Sequence, residues 1–222
     1  AKEWHFRIGV HFLRDLIDAD QAGAQYADLA EAVLVALWPA MTTEFARKHG
    51  PAPGRGGAVI AMGSLGAGRL TATSDLDLIM VYDAQGVDTS DGRRPLPTRT
   101  YFARLTQALI TALSAQMAEG RLYEVDMRLR PSGRQGPVAT SLLSFQDYQE
   151  NEAWTWEQRA LTRARAVAGD PSLCAAIEAF RLQLLQAKSG GASILADVAD
   201  MRRRIAEQKA QNAGWDAKVG PG

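Results

Sequence analysis

Between Ala58 and Asp83 two short apolar runs, AVIAMG (Ala58 to Gly63) and SDLDLIMVYD (Ser74 to Asp83), flank a glycine-rich turn. Runs of this length bounded by glycine read as buried strands, and Leu78, Ile79, Met80, Val81 and Tyr82 suit a strand covered on both faces. Helical spacing on either side of the pair then predicts an α/β fold, a mixed sheet flanked by helical segments. Residues two apart in a strand point the same way, so Asp75 and Asp77 project together at the sheet edge. Two carboxylates this close repel unless a cation neutralises them. Oxygen-only ligands suit Mg²⁺, which prefers a few carboxylates together with phosphate oxygens and water.

Other metals and other phosphate sites fit poorly. With one cysteine, Cys174, and three scattered histidines, His5, His11 and His49, there is no zinc spacing and no internal disulfide, so any metal is held by oxygen. Gly63, Gly66 and Gly68 give G-x-x-G-x-G, the wrong order for a dinucleotide fingerprint, and no Walker lysine follows a glycine. Lys plus Arg and Asp plus Glu both number 25, which argues against a chain that coats nucleic acid or an anionic membrane. An apolar content of 46% argues against disorder. No apolar run approaches a bilayer span and AKEWHFRIGV is not a signal peptide, so a reducing, cytoplasmic setting is expected.

Elsewhere, apolar spacing predicts helices from Asp15 to about His49, a loop at HGPAPGRGG, and a polar loop from Ala84 to Pro97. A helix follows over Arg99 to Glu119, then a strand over Arg121 to Arg130. That strand puts Tyr123, Val125, Met127 and Leu129 on one face and Glu124, Asp126, Arg128 and Arg130 on the other. Asp126 would complete a set able to bridge two ions for in-line phosphoryl displacement, although Glu124 shares its face and alternation does not choose between them. Backbone N–H groups of the Gly63-Ser64 turn would grip a triphosphate. Helices are expected over Ser144 to Ala168, Ser172 to Lys188 and Ser193 to Ala210, with a break at Gly169 to Pro171.

Gly63-Ser64, the spacer and Asp75-Leu76-Asp77 resemble the nucleotidyltransferase superfamily of the DNA polymerase β type. RLYEVDMRLRPSGRQGPVATS (Arg121 to Ser141) and YQENEAWTWEQRALTRARAVAGDP (Tyr148 to Pro171) narrow the likeness. With them, nearly the whole chain resembles the glutamine synthetase adenylyltransferase family. That family carries two such units, one adding AMP to a tyrosine of glutamine synthetase and one removing it by phosphorolysis. EAWTWE and VDMRLRPSG look more like the C-terminal, adenylylating unit.

The resemblance implies that Asp75, Asp77 and Asp126 are catalytic carboxylates that bind metal, with Mg²⁺ as cofactor and ATP as cosubstrate. It also implies that Gly63, Ser64, Arg128 and Arg130 bind nucleotide. The family usually has Gly-Lys-Leu-Gly-Gly where this chain has Gly63-Ser64-Leu65-Gly66-Ala67, so Ser64 replaces a lysine. Glutamine synthetase is the implied protein substrate and the PII signal protein an implied partner of the longer chain, with no nucleic acid and no membrane. The expected organisation is a nucleotidyltransferase domain over 1–168, comprising a leading helical segment (1–50), a catalytic sheet core (51–140) and a helix (141–168). Residues 169–222 would begin a further helical domain, cut short. The rival reading from another class is a catalytically silent module that binds nucleotide or a signalling protein.

Several residues have plainer roles. Trp154 and Trp156 are expected to be structural, at least one of them in the core. Arg159, Arg163 and Arg165 should pair with nearby acids, contact of one of them with nucleotide being the alternative, and Arg121 and Arg134 read as an exposed basic face. Met117, Met127 and Cys174 read as packing residues.

Overall fold

The computed structural model describes residues 1–118, 120–188 and 203. Two helices lead, α1 (Lys2–Leu13) and α2 (Ala19–His49). Asp18 starts α2 with a reciprocal capping box: its carboxylate accepts from Gln21 N at 2.7 Å, and its own N–H donates to Gln21 Oε1 at 3.0 Å. The helix continues through Pro39 to Gly50, whose φ of +86° ends it. By length and composition α2 is the one described helix that passes as a membrane span, which corrects the sequence reading that no apolar stretch does. It also lays Tyr26, Ala27, Ala30, Leu34 and Trp38 into the core.

The sheet is mixed, as expected. Strands β1 (Gly56–Ala61) and β2 (Leu76–Asp83) run antiparallel, with Ala61 opposite Leu78. On the free edge of β2 lie two short parallel strands, β3 (Val125–Asp126) against its start and β4 (Ala139–Ser141) against its end. The other edge of β1 pairs antiparallel with β5 (Arg165–Gly169), across a register shift between Val59 and Ile60.

Period-two alternation divides β2 between two cores. Leu76, Leu78, Met80 and Tyr82 join the layer formed by α2 and α4 (Thr98–Ser114), where Tyr82 stacks on Phe102 with ring centroids 4.4 Å apart. Ile79 and Val81 face Leu142 and Phe145 of α5 (Leu142–Asp147) and Leu173, Ile177, Phe180 and Leu184 of α7 (Pro171–Lys188). Asp75 and Asp77 share the parity of Ile79 and Val81, so they extend that second face beyond the edge of its core.

Four sequence expectations change. The strand expected over 121–130 shrinks to Val125–Asp126, because the Asp126 carboxylate accepts the Arg128 N–H at 2.8 Å and turns the chain. Its burial alternation survives, with Tyr123 and Met127 buried and Glu124 and Arg128 exposed. The helix expected to reach Glu119 stops at Ser114. The helix expected over 144–168 is instead α5, a π turn at Tyr148–Glu152, α6 (Thr155–Ala160), a 3₁₀ turn at Leu161–Arg163 and then β5. Trp154 and Trp156 are 72% and 47% exposed, so neither ring packs in the core. Trp154 precedes α6 in extended backbone, so it leaves the helical geometry assumed for the pair, while Trp156 lies within α6 and turns its ring outward. The helix expected at Ser193–Ala210 lies outside the described residues, save position 203. The break at Gly169–Pro171 is where β5 passes into α7, and α7 seals the second core.

Candidate active site

The site is built where β1 ends and β2 begins. Chain direction reverses through α3 (Gly63–Gly66), and the turn is tied down because Met62 N donates to Asp77 O at 2.9 Å. Gly63 has φ +56°, and a Cβ there would stand 2.3 Å from Asp77 Oδ2. The Asp77 carboxylate therefore lies directly against the turn, and only glycine satisfies both the backbone angle and the contact. A second glycine is as tightly used: a Cβ on Gly66 would fall 2.0 Å from the Arg163 carbonyl oxygen. The 3₁₀ turn 161–163 thus presses on the glycine turn, and Arg163 Nη2 donates to Ser64 Oγ at 3.4 Å.

On the other side of β2, Leu76 N donates to Glu124 O at 2.9 Å and Asp77 stands in register with Asp126. Adjacent parallel strands are about 4.8 Å apart, so the two carboxylates begin from neighbouring positions. Glu124, the competing third carboxylate, is exposed and pairs with Arg121. Asp75 is exposed, one residue ahead of β2.

Arg128 organises the charges. Its Nε donates to Asp126 Oδ2 at 2.5 Å while its backbone N–H takes Oδ1. Burial pushes the Asp126 carboxyl up, but hydrogen bonds from Arg128 and the charges of Arg128 and Arg134 outweigh it and leave the group below the usual carboxylate range. In turn the Arg128 guanidinium is held above its ordinary value, first by its hydrogen bond to Asp126 and also by the charges of Asp75 and Asp77. One cation thus senses all three acids. Arg130 is occupied differently: Nε, Nη1 and Nη2 donate to the carbonyls of Gly136, Met127 and Arg134, holding the 127–136 loop closed.

With Asp126 engaged by Arg128, the acids do not converge: among the described residues no group of three His, Cys, Asp or Glu is gathered tightly enough to hold a metal ion. The donor chemistry nevertheless fits a hard cation, since Asp77 and Asp126 occupy neighbouring strand positions and the cation bonded to Asp126, Arg128, is an exposed side chain.

Of the three arginines expected to pair with acids, Arg165 does so, with Glu31 at 2.7 Å. Arg163 instead reaches Ser64, and Arg159 Nε is buried without a hydrogen-bond partner among the described residues. No spacing rule joins Arg163 to a residue 99 positions away.

Comparison with known proteins extends the picture. The family model for glutamate-ammonia ligase adenylyltransferase matches residues 1–180. The chain belongs to the glutamate-ammonia ligase adenylyltransferase family. Relatives named bifunctional glutamine synthetase adenylyltransferase/adenylyl-removing enzyme are similar to it over its whole length. One from Mesorhizobium japonicum is 47% identical, covering 100% of this chain and 23% of the relative. A second, from Rhizobium meliloti, is 48% identical with the same coverage, 100% and 23%. A third, from Brucella suis, is 46% identical, again over 100% of this chain and 23% of the relative. This member of the adenylyltransferase family therefore spans about a quarter of the length of the curated relatives it matches.

Proposed function

We propose that this unit transfers AMP from ATP to a tyrosine of glutamine synthetase, with release of pyrophosphate. The observation that carries the reading is the Asp77 carboxylate, held against the Gly63 turn on one side and opposite Asp126 on the other. Phosphate oxygens resting on the Gly63-Ser64 turn would lie beside Asp77, with Arg163 supplying positive charge at Ser64. Asp75, Asp77 and Asp126 would hold Mg²⁺, which supplies Lewis-acid charge to the phosphates and the acceptor oxygen when bound. Admission of the ion requires Arg128 to release Asp126. The phenol oxygen forms the new bond to the α-phosphorus as the bond to pyrophosphate breaks in line, and the phenol proton passes to a carboxylate of the set. Arg130 acts by keeping the loop beyond Asp126 closed, so its contribution to nucleotide binding is through position.

Phosphorolytic removal of AMP is the second reading, because the relatives' names include both directions. We also propose the PII signal protein as a partner of the longer chain, and a cytoplasmic setting without nucleic-acid or membrane partners. The test of direction is the intact mass of glutamine synthetase subunits after incubation with this chain. A gain of one AMP with Mg-ATP supports the adenylylating reading. Loss of AMP from modified subunits in phosphate, with no gain in ATP, supports removal. Neither change refutes transfer by this unit.

A further inference from the structure

A basic cleft stands at the opposite end of the sheet from the carboxylates. A cleft of about 670 Å³ opens between the C-terminal turn of α2, the 91–95 loop and α4. Met41, Phe45 and Ala108 form its floor, and Arg47, Lys48, Arg93 and Arg94 its walls. The loop leaves from the far end of β2, and Asp77 to Asp83 alone spans about 20 Å at roughly 3.3 Å per residue. A nucleotide at Asp77 cannot also fill this cleft.

The cations are gathered on a fixed frame. Gly92 N donates to His49 O at 3.1 Å, Arg94 N to Lys48 O at 3.0 Å, and His49 Nδ1 lies 2.6 Å from Arg94 O. A Cβ on Gly92 would fall 2.0 Å from Gly50 N, so loop and helix end are in direct backbone contact. Glu44, the one carboxylate lining the cleft, pairs with Arg47 at 2.6 Å. Lys48, Arg93 and Arg94 have no ion-pair partner among the described residues. The helix C-terminus favours Arg47 and Lys48. It does not account for two further arginines brought in by a clamped loop, against like-charge repulsion. On α4, whose Ala108 lines the cleft, Arg99 and Arg104 line a separate hollow of about 350 Å³.

We propose that this cleft docks an extended acidic segment of a protein partner, its carboxylates on the arginines and an apolar side chain on Met41 and Ala108. Two hollows along one helix suit an elongated ligand better than a compact anion. RNA is the poorer fit, because single strands are held by stacking on open aromatic faces. Phe45 is the aromatic ring of the floor, and it packs between His49 and Tyr101 with centroids 4.6 and 4.8 Å away.

The probe is a fluorescein-labelled hexapeptide of alternating glutamate and leucine, read by anisotropy against the whole chain. Saturable binding that weakens with salt is expected. It should weaken by roughly tenfold or more in Arg93→Glu/Arg94→Glu and, from the other wall, in Lys48→Glu, since the reversal sets like charges against the peptide's carboxylates. These side chains are exposed, so Arg93→Glu/Arg94→Glu should melt with the wild type and Lys48→Glu, at the end of α2, only slightly below it. Asp75→Asn/Asp77→Asn should bind the peptide unchanged, which separates this site from the proposed transfer site. The proposal fails if the wild type does not bind, if both charge-reversed variants bind equally well, or if a single-stranded RNA oligonucleotide binds more tightly through the same residues.

Discussion

Gly63 carries two demands at one position, a left-handed backbone and the nearness of Asp77 Oδ2. Gly63→Ala meets neither, and it should cost about 1–3 kcal/mol in stability from backbone strain. AMP transfer should fall by roughly a hundredfold or more, since small misplacements of reacting groups carry penalties of that order. Urea unfolding and initial rates check both effects, and a fully active variant would place the phosphates elsewhere. Tyr101 and Tyr123 make a second residue-level prediction. Burial pushes both phenols up to about 12 from an ordinary 10.0, and Tyr101 donates to the Gly50 carbonyl at 3.0 Å. A raised folded value means their stabilising effect is complete below pH 10.0 and is lost as pH climbs through about 12. Phenolate absorbance of the folded chain at pH 11 should therefore fall short of the denatured value. Full ionisation of the still-folded chain would contradict the burial.

Among the elements, those with a single strong signal were legible in advance. The β1-turn-β2 unit, α4 and α7 were each marked by an apolar run or a helical stripe of the right length. The less legible pieces have physical reasons. Strand β5 is Arg-Ala-Val-Ala-Gly, poor in the β-branched residues that mark strands, and it owes its form to pairing with β1. Strand β3 reads as ten residues of alternation, but the Asp126 side chain competes for the backbone and ends pairing after two. The site was legible to a similar degree. Asp75, Asp77 and the glycine turn follow from spacing, whereas Arg163 reaches Ser64 only through tertiary packing and the closed use of Arg130 depends on loop carbonyls. α7 offers the test at this scale. Ile177 is 1% exposed in the core shared with Ile60 and Ile79, so Ile177→Ala should cost about 2–5 kcal/mol on thermal or denaturant unfolding. A cost below 1 kcal/mol would mean that α7 is not part of the unit carrying the carboxylates.

At the scale of the whole molecule, net charge is zero but its distribution is not. Acids collect where β2 begins, with Arg128 among them, and Lys48, Arg93 and Arg94, without ion-pair partners among the described residues, collect at the far end of the sheet around the α2 terminus. The chain is thus polarised along β2, with one end proposed for a metal-bound nucleotide and the other for an anionic partner. The central claim concerns the first end and is tested by replacing its carboxylates. Glutamine synthetase would be incubated with Mg-ATP and either the wild-type chain or Asp75→Asn/Asp77→Asn, and subunit masses compared. The account predicts one added AMP per subunit with the wild type and none with the variant, while the variant remains folded by circular dichroism. Undiminished addition of AMP by the folded variant would contradict it.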